Sequence, residues 1–199
     1  MKVPLSLMAG VLALTVAIAA MVRVEKTSAA SVAVEPQYAE NDPSSVFADI
    51  DAMLARDGMA GETVNQVVTR LDGLIERYPD YGYAMRLKGT LLYNVRKYEA
   101  SARAFAQYLD RFPEDYNART SMGAALLALE RYQPAVEALT PVAAAFPDYG
   151  VANAYLGKAY RGLGNAEEAS RLERKADQIK KQGGRSKPPI VWHPKLPSE

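Results

Sequence analysis

The sequence predicts an all-α protein, a right-handed α-solenoid of antiparallel helix pairs that follows one N-terminal apolar helix. Pro79, Pro113 and Pro147 are evenly spaced along the chain, and each follows an aromatic residue. A fixed period of about 34 residues is typical of helical repeats in which each unit stacks on the next. Between the prolines, apolar residues recur at steps of three and four. Each unit is therefore predicted to be two amphipathic helices joined by a tight turn.

The first element is an uncharged run at residues 3–22 with basic residues on both sides. About 20 apolar residues suffice for a helix to cross a bilayer. The length of the run and the charges after it favour an uncleaved transmembrane anchor within residues 1–23. A cleaved signal sequence is the alternative, because the segments 17–19 and 28–30 offer cleavage sites with small residues.

The orientation of this apolar segment is not decided by charge, because basic residues flank both of its ends. A lone N-terminal apolar run is most often an export signal. We therefore expect a single-pass protein of a bacterial-type inner membrane with its repeats in the periplasm, or a protein secreted to the periplasm after cleavage. Residues 24–41 are small, polar and without a helical period, and they predict a flexible linker.

The helical repeat domain is predicted to begin with Asp42-Pro43, a favourable helix start. A first helix runs through Phe47, Ile50 and Leu54, and a second amphipathic helix ends before Pro79. The domain covers residues 42–181 in four units, at about 42–81, 82–115, 116–149 and 150–181.

Small residues recur at two positions of the later units, where the two helix backbones of a unit must approach closely. Pro141 lies inside the second helix of the 116–149 unit and should bend that helix, because it cannot donate to the Glu137 carbonyl. The small residues are Gly89, Gly123 and Gly157 on first helices, and Ser101, Ala135 and Ala169 on second helices.

These features resemble the tetratricopeptide repeat (TPR) family over roughly residues 62–181. The last unit is the clearest copy, with Leu156-Gly157, Tyr160 and Ala169 at the offsets of the family pattern. The tryptophan position of the pattern is instead occupied by Met85, Arg119 and Asn153, which indicates a divergent member.

The resemblance implies that the first helix of each unit lines a concave groove that binds a protein partner. The groove is then expected to be aromatic at one end, small and apolar in the middle, and basic at the other end. The peptide-carboxylate clamp known in the family is not present, because Arg86 and Thr90 occupy its first-unit positions, and Val151 and Tyr155 its third-unit positions. The expected groove positions are Tyr83, Arg86, Thr90, Tyr93, Asn117, Thr120, Ala124, Leu127, Val151, Ala154, Lys158 and Arg161.

The C-terminal segment 182–199 has a proline-rich sequence that predicts a disordered tail. A second interpretation is a short extended recognition segment, because Trp192 lies among prolines that favour polyproline II geometry. Charge also differs along the chain: residues 35–150 carry 11 basic and 17 acidic side chains, whereas residues 151–199 carry 10 and 5. The basic end is either a solvated helix or a surface for an acidic partner or anionic lipid.

Nothing in the sequence predicts an enzyme. There is no cysteine, and the single histidine, His193, lies in the tail without a nucleophile or carboxylate placed to orient it. No phosphate-binding glycine loop occurs. We therefore expect no catalytic residue, no metal, no cofactor and no small-molecule substrate. Nucleic-acid binding is not expected either, since the net charge is only +1 and no basic-aromatic stripe occurs.

The sequence thus predicts a membrane-tethered scaffold on the export side that binds a protein partner through its groove. Two alternatives stay open. The layout of one N-terminal span before a short repeat array is also similar to accessory factors of c-type cytochrome maturation or envelope-protein assembly, which hold an unfolded client. It is similar as well to small structural subunits of membrane complexes.

Overall fold

The computed structural model describes residues 43–183 and 188–189. These residues form helices and turns without strands. The predicted apolar span at residues 3–22 and the linker at 24–41 lie outside the described residues, as do the tail residues beyond 189, including Trp192 and His193. Among the helices of the described part, none is both long and apolar enough to cross a membrane.

The chain divides after Gly58 into two compact units, and each is described by itself. This boundary falls inside the first predicted repeat unit, 42–81. In the first compact unit, the described residues form helix α1 (Pro43–Asp57), as the sequence predicts. Its buried residues follow one face at steps of four and three, and Gly58, with a φ of 64°, ends it. The buried apolar residues of α1 are Val46, Ile50 and Met53.

The second compact unit is an α-solenoid, which confirms the predicted fold class. Consecutive helices pack against each other along the chain. The helices that the sequence places first in their units, α3, α5 and α7, also contact one another directly in that order. The helices are α2 (Gly61–Arg77), α3 (Gly82–Asn94), α4 (Tyr98–Arg111), α5 (Tyr116–Ala128), α6 (Tyr132–Ala145), α7 (Gly150–Gly162) and α8 (Ala166–Lys181).

The predicted small residues lie where paired helices touch. A Cβ added to Gly123 would lie 2.5 Å from the Leu139 Cγ, and one added to Gly89 would lie 3.0 Å from the Phe105 ring. On the facing helices, Ser101, Ala135 and Ala169 are fully buried. Ser101 Oγ also donates to the Gly89 carbonyl at 2.8 Å, which ties α3 to α4. The period of the sequence thus corresponds to repeated close contact between helix backbones.

The turns inside the three later helix pairs repeat one geometry. Arg96, Glu130 and Gly164 occupy equivalent positions of successive units and all have positive φ, at 63°, 57° and 80°. The amide that follows each of them donates to a carbonyl five residues earlier, for example Arg131 to Leu126 at 2.9 Å. This is the hydrogen bond that closes a helix in the Schellman motif. Only the last of the three turns has a glycine, Gly164, at the position with positive φ.

The second helices end where the sequence predicts, one residue before an aromatic–proline pair. Helix α6 continues through Pro141, which is exposed, and reaches Ala145. Its buried residues, which include Ala135 and Leu139, lie on the face away from this proline. The continuous helix therefore keeps its packing face on both sides of Pro141.

Candidate binding groove

The first helices α3, α5 and α7 together form the wall of a groove. A cavity of about 260 Å³ opens there. Its lining comes from two to four residues of each first helix, one side chain of α4 and the residue that precedes α7. The lining residues are Thr90, Tyr93, Phe105, Asn117, Thr120, Ser121, Ala124, Tyr149, Val151 and Tyr155.

Six of the twelve groove positions expected from the resemblance line this cavity together. Their common location follows from the fixed period, which places equivalent residues of successive first helices side by side. The six are Thr90, Tyr93, Asn117, Thr120, Ala124 and Val151.

The other expected positions lie elsewhere. Tyr83 is half-buried, with its ring centroid 6.2 Å from that of Tyr81. Arg86 is also half-buried, and its charge lies close enough to Tyr108 to oppose the rise in the pKa of that phenol. Leu127 packs against the hydrophobic core rather than into the cavity.

The middle of the groove differs from the small and apolar surface that the sequence predicts. Hydroxyl and amide groups from Asn117, Thr120 and Ser121 meet the rings of Tyr149 and Tyr155 there. Neither tyrosine is among the expected groove positions, because the resemblance places Tyr155 only at a clamp position and Tyr149 lies outside the first helix. Tyr149 precedes α7, and its place in the repeated aromatic–proline phrase is the signal that could have pointed to it.

Burial raises the pKa of two groove tyrosines, Tyr93 and Tyr149. Loss of solvent raises the pKa of Tyr93, and the neighbouring Tyr155 and Tyr98 phenols add to this rise. Burial likewise raises the pKa of Tyr149, with Tyr155 adding to the rise and a hydrogen bond with Thr120 opposing it. None of the described residues that line the cavity carries a charge. The groove therefore offers neutral hydrogen-bonding groups and aromatic surface.

The predicted basic end of the groove is absent from the cavity lining. Arg161 pairs with Glu173 of α8, its Nε lying 3.1 Å from Oε1, and this pairing raises the pKa of the guanidinium. Lys158 lies with its Nζ 5.8 Å from the centroid of the Tyr155 ring. These two cations therefore contact groups of their own repeat, and Lys158 approaches the groove only at the ring of Tyr155.

A buried carboxylate fixes the start of the central helix α5. Asp115 is 0% exposed, and its Oδ1 accepts a hydrogen bond from the Ala118 amide at 2.9 Å. Its Oδ2 accepts one from the Tyr108 hydroxyl at 2.7 Å. Asp115 thus caps α5 and joins it to α4. These two bonds fix the first turn of α5, where Asn117 lies.

Two residues of the predicted tail lie against this first turn. The Asn117 Nδ2 donates to the Pro188 carbonyl at 3.2 Å and to the Pro189 carbonyl at 3.1 Å. Pro188 is buried and Pro189 is exposed. Asn117 therefore belongs both to the cavity lining and to a contact with the chain's own C-terminal segment.

A second cavity of about 390 Å³ lies between α4, α5 and α6. Three of its charged residues pair with each other: Glu99 contacts Arg131 at 2.8 Å and Arg103 at 3.3 Å. In the described part of the chain, no group of three or more metal-ligating side chains occurs. The two ion pairs of Glu99 are exposed to solvent, and such pairs contribute little to stability.

Solved structures similar to this chain are TPR-like helical repeat proteins called MamA. MamA 41-end from Desulfovibrio magneticus RS-1 is 22% identical with a TM-score of 0.62, and the match covers 70% of this chain and 76% of that one. MamA of AMB-1 is 21% identical with a TM-score of 0.57, covering 67% and 74%. MamA of MSR-1 is 22% identical with a TM-score of 0.55, covering 60% and 69%.

No family model matches the sequence, and no curated protein matches it. At these levels of identity the solved structures establish the fold. They confirm a TPR-type α-solenoid.

Proposed function

We propose that this protein is a membrane-tethered scaffold that binds a protein partner in the groove of α3, α5 and α7, on the export side of a bacterial-type inner membrane. One observation carries the binding proposal: three successive first helices combine their side chains into one neutral, tyrosine-rich groove. Aromatic side chains with a polar group supply large contact area and hydrogen bonds at little conformational cost, and they are enriched in binding surfaces.

The groove favours a partner segment that is itself uncharged where it binds. A charged side chain placed in the cavity would meet no counter-charge among the described lining residues, and its desolvation would cost free energy. The partner should therefore contribute apolar side chains and backbone carbonyl or amide groups. The groove depends on neutral contacts, so its binding should depend weakly on salt concentration.

The membrane tether is supported by the sequence alone, through the uncharged run at residues 3–22. An uncleaved anchor would keep the protein in the membrane fraction after carbonate or high-salt washing. A soluble form that starts near residue 20 or 31 would instead indicate a cleaved signal sequence and a secreted periplasmic protein. Protease protection in intact spheroplasts would report which side of the membrane carries the repeats.

The binding proposal can be tested with two exposed apolar residues. Val151 is 42% exposed and lines the cavity, whereas Leu163 is 44% exposed and is absent from the lining. A photo-crosslinking amino acid at position 151 should capture the partner, and one at position 163 should not. Val151→Asp should weaken binding by about tenfold or more because it places a charge in the neutral groove.

The control Leu163→Asp introduces the same charge outside the groove and should bind with unchanged affinity. Position 151 lies in the first turn of α7, where a negative charge is compatible with the helix dipole, so the fold should be retained. Equal capture at both positions, or equal affinity of both aspartate variants, would exclude the groove as the binding surface.

A further inference from the structure

The contact between Asn117 and the tail indicates what kind of segment the groove recognises. One side-chain amide nitrogen donates to two consecutive carbonyls, at 3.2 and 3.1 Å. Both carbonyls belong to prolines, Pro188 and Pro189. The contact is therefore made with backbone acceptors, and it depends on backbone conformation more than on side-chain identity.

Consecutive prolines suit such a contact for physical reasons. A proline has no amide hydrogen, so its backbone offers only an acceptor. Pro188 precedes another proline and is therefore restricted to extended backbone conformations. Such a segment loses little conformational entropy when it binds, because it is already extended in the unbound state.

The groove carries the matching surface. Aromatic-lined grooves bind extended proline-rich segments, and Tyr93, Tyr149 and Tyr155 line this cavity. The neutral lining suits a segment without charge at the contact. The burial of Pro188, next to the exposed Pro189, indicates that one of the two rings is held against the protein.

The chain is long enough for its own tail to reach this position. The turn after α8 ends at Gly183, and five residue steps separate Gly183 from Pro188. A chain of this length reaches at most about 17 Å. Packed helices lie about 8–10 Å apart, so this reach covers about two helix spacings, the distance from α8 across α7 to α5.

We propose that the groove of α3, α5 and α7 recognises an extended, proline-containing backbone segment, and that the tail around Pro188 and Pro189 is its intramolecular ligand. This inference rests on the proposed function and specifies the chemistry of its partner. A partner segment binds by presenting extended, uncharged backbone with proline, and it must displace the tail. Only a partner that binds the groove more tightly than the attached tail does can therefore occupy it.

Proximity of the tail can be measured directly in the full-length chain, which has no cysteine of its own. Ser121→Cys places a thiol in the groove one turn after Asn117, and Pro189→Cys places one on the exposed tail residue while the carbonyl is retained. A short bis-maleimide should join the two thiols within one molecule. The control pair replaces position 121 by Gln107→Cys, on the exposed surface of α4, and should not be joined.

Adding Asn117→Asp to the first pair should abolish the cross-link, because an acceptor carboxylate replaces the amide donor. Asn94→Asp makes the same chemical change at an exposed position and should leave the cross-link intact. A cross-link between two molecules would show that a second copy supplies the tail, and this would overturn the intramolecular ligand. An absent cross-link, or an equal one at position 107, would overturn it as well.

Competition measures the strength of the same contact. A fluorescent peptide of residues 184–199 should bind the full-length Pro188→Asp variant about tenfold more tightly than the wild type. In the wild type the attached tail competes at a millimolar effective concentration. Pro189→Ser keeps the carbonyl but releases Pro188 from the restriction that a following proline imposes, so its peptide affinity should lie between those of the wild type and Pro188→Asp. Equal peptide affinity for the wild type and Pro188→Asp would overturn the proposal.

These outcomes separate the inference from the proposed function. If the tail does not cross-link but Val151→Asp still loses the partner, the groove binds a partner and the intramolecular ligand is excluded. If the tail cross-links but Val151→Asp keeps the partner, the tail contact exists and partner binding in the groove is excluded.

Discussion

The central helix α5 and the last first-helix α7 begin at equivalent points of the repeat and are held there by different chemistry. At the start of α5, the buried Asp115 accepts hydrogen bonds from the α5 backbone and from Tyr108. The position equivalent to Asp115 in the next unit is Tyr149, and the position equivalent to Tyr108 is the buried Val142. No side chain caps α7.

Helix α7 is held by a different residue. Asn153 is 0% exposed, and its Nδ2 donates to the carbonyls of Pro147 and Tyr149 at 3.2 and 3.1 Å. Its equivalent in α5, Arg119, donates in the same way to the Pro113 carbonyl at 2.7 Å. In the units of α5 and α7, the sequence position that holds tryptophan in the family thus carries a polar side chain that donates to a carbonyl of the preceding turn. The period fixes the backbone, whereas the side chains that hold each helix start differ from unit to unit.

The largest difference between the two helix starts should appear on removing Asp115. Asp115→Ala deletes the cap of α5 and leaves the buried Tyr108 hydroxyl without this acceptor, so it should destabilise the protein by about 3 kcal/mol. Asn153→Ala should cost about 1 kcal/mol, less than Asp115→Ala, because it also removes a buried polar atom, Oδ1, for which the described residues offer no hydrogen-bond partner. Urea unfolding measures both values. Equal losses would contradict the stronger role of the α5 cap.

The paired helices also approach each other more closely at Gly123, in the unit of α5, than at Gly157, in the unit of α7. Gly123→Ala places a methyl group against the buried Leu139 and should destabilise by about 1–3 kcal/mol through overpacking. Gly157→Ala meets the Glu173 Cγ at 2.8 Å and the Ala169 carbonyl oxygen at 3.2 Å, both longer than the 2.5 Å contact between position 123 and the Leu139 Cγ, so its cost should be smaller. Gly73→Ala is the control: in the part of the chain that the structure describes, nothing beyond the neighbouring backbone of its own helix lies within 4 Å, and the change should stabilise α2 by about 0.5–1 kcal/mol.

Alkaline pH should destabilise the protein through Tyr108, whose hydroxyl donates to the cap of α5. Burial, followed by the hydrogen bond to Asp115 and its charge, raises the pKa of Tyr108, while Arg86 acts weakly in the opposite direction. The folded protein therefore holds this proton more tightly than the unfolded chain, whose tyrosines titrate near about 10. The associated stability is present below that pH and is lost as the pH rises above it.

Tyr108→Phe should accordingly flatten the fall in unfolding free energy above about pH 10, although it lowers stability at neutral pH by about 1 kcal/mol. Denaturant melts at neutral and alkaline pH measure this slope. The groove residues Tyr93 and Tyr149, whose pKa values are also raised, account for a remaining slope. An unchanged slope in the variant would show that Tyr108 is not the dominant group.

The smallest expected effects concern the turns inside the helix pairs. Glu130 adopts a positive φ that costs a residue with a Cβ about 1 kcal/mol, so Glu130→Gly should stabilise the protein by about 0.5 kcal/mol after the entropy of glycine is counted. Gly164→Ala at the equivalent position should destabilise by about 1 kcal/mol for the same reason. Thermal melts of the pair, compared with the wild type, should therefore move in opposite directions.

The sequence was sufficient to predict the architecture because the architecture depends on properties that recur in every unit. Helix ends, small contact residues and the row of first helices follow from proline, glycine and the spacing of apolar residues. The chemistry of the groove was predicted only in part. Tyr149 enters it from outside a helix, and Arg161 turns to Glu173 on α8, which a first-helix pattern does not indicate. The contact between Asn117 and Pro188 joins positions 71 residues apart and has no periodic signal at all.

The Arg161–Glu173 pair has a consequence for how this array can change in length. These residues occupy the places that Leu127 and Leu139 hold one unit earlier, and both are at least partly exposed to solvent. Another repeat stacked after α8 would have to cover this ion pair and bear the cost of desolvating it. A duplicated unit inserted before Gly150 would instead meet apolar neighbours on both sides. Lengthening of the array by duplication should therefore be tolerated inside it and resisted at its C-terminal end.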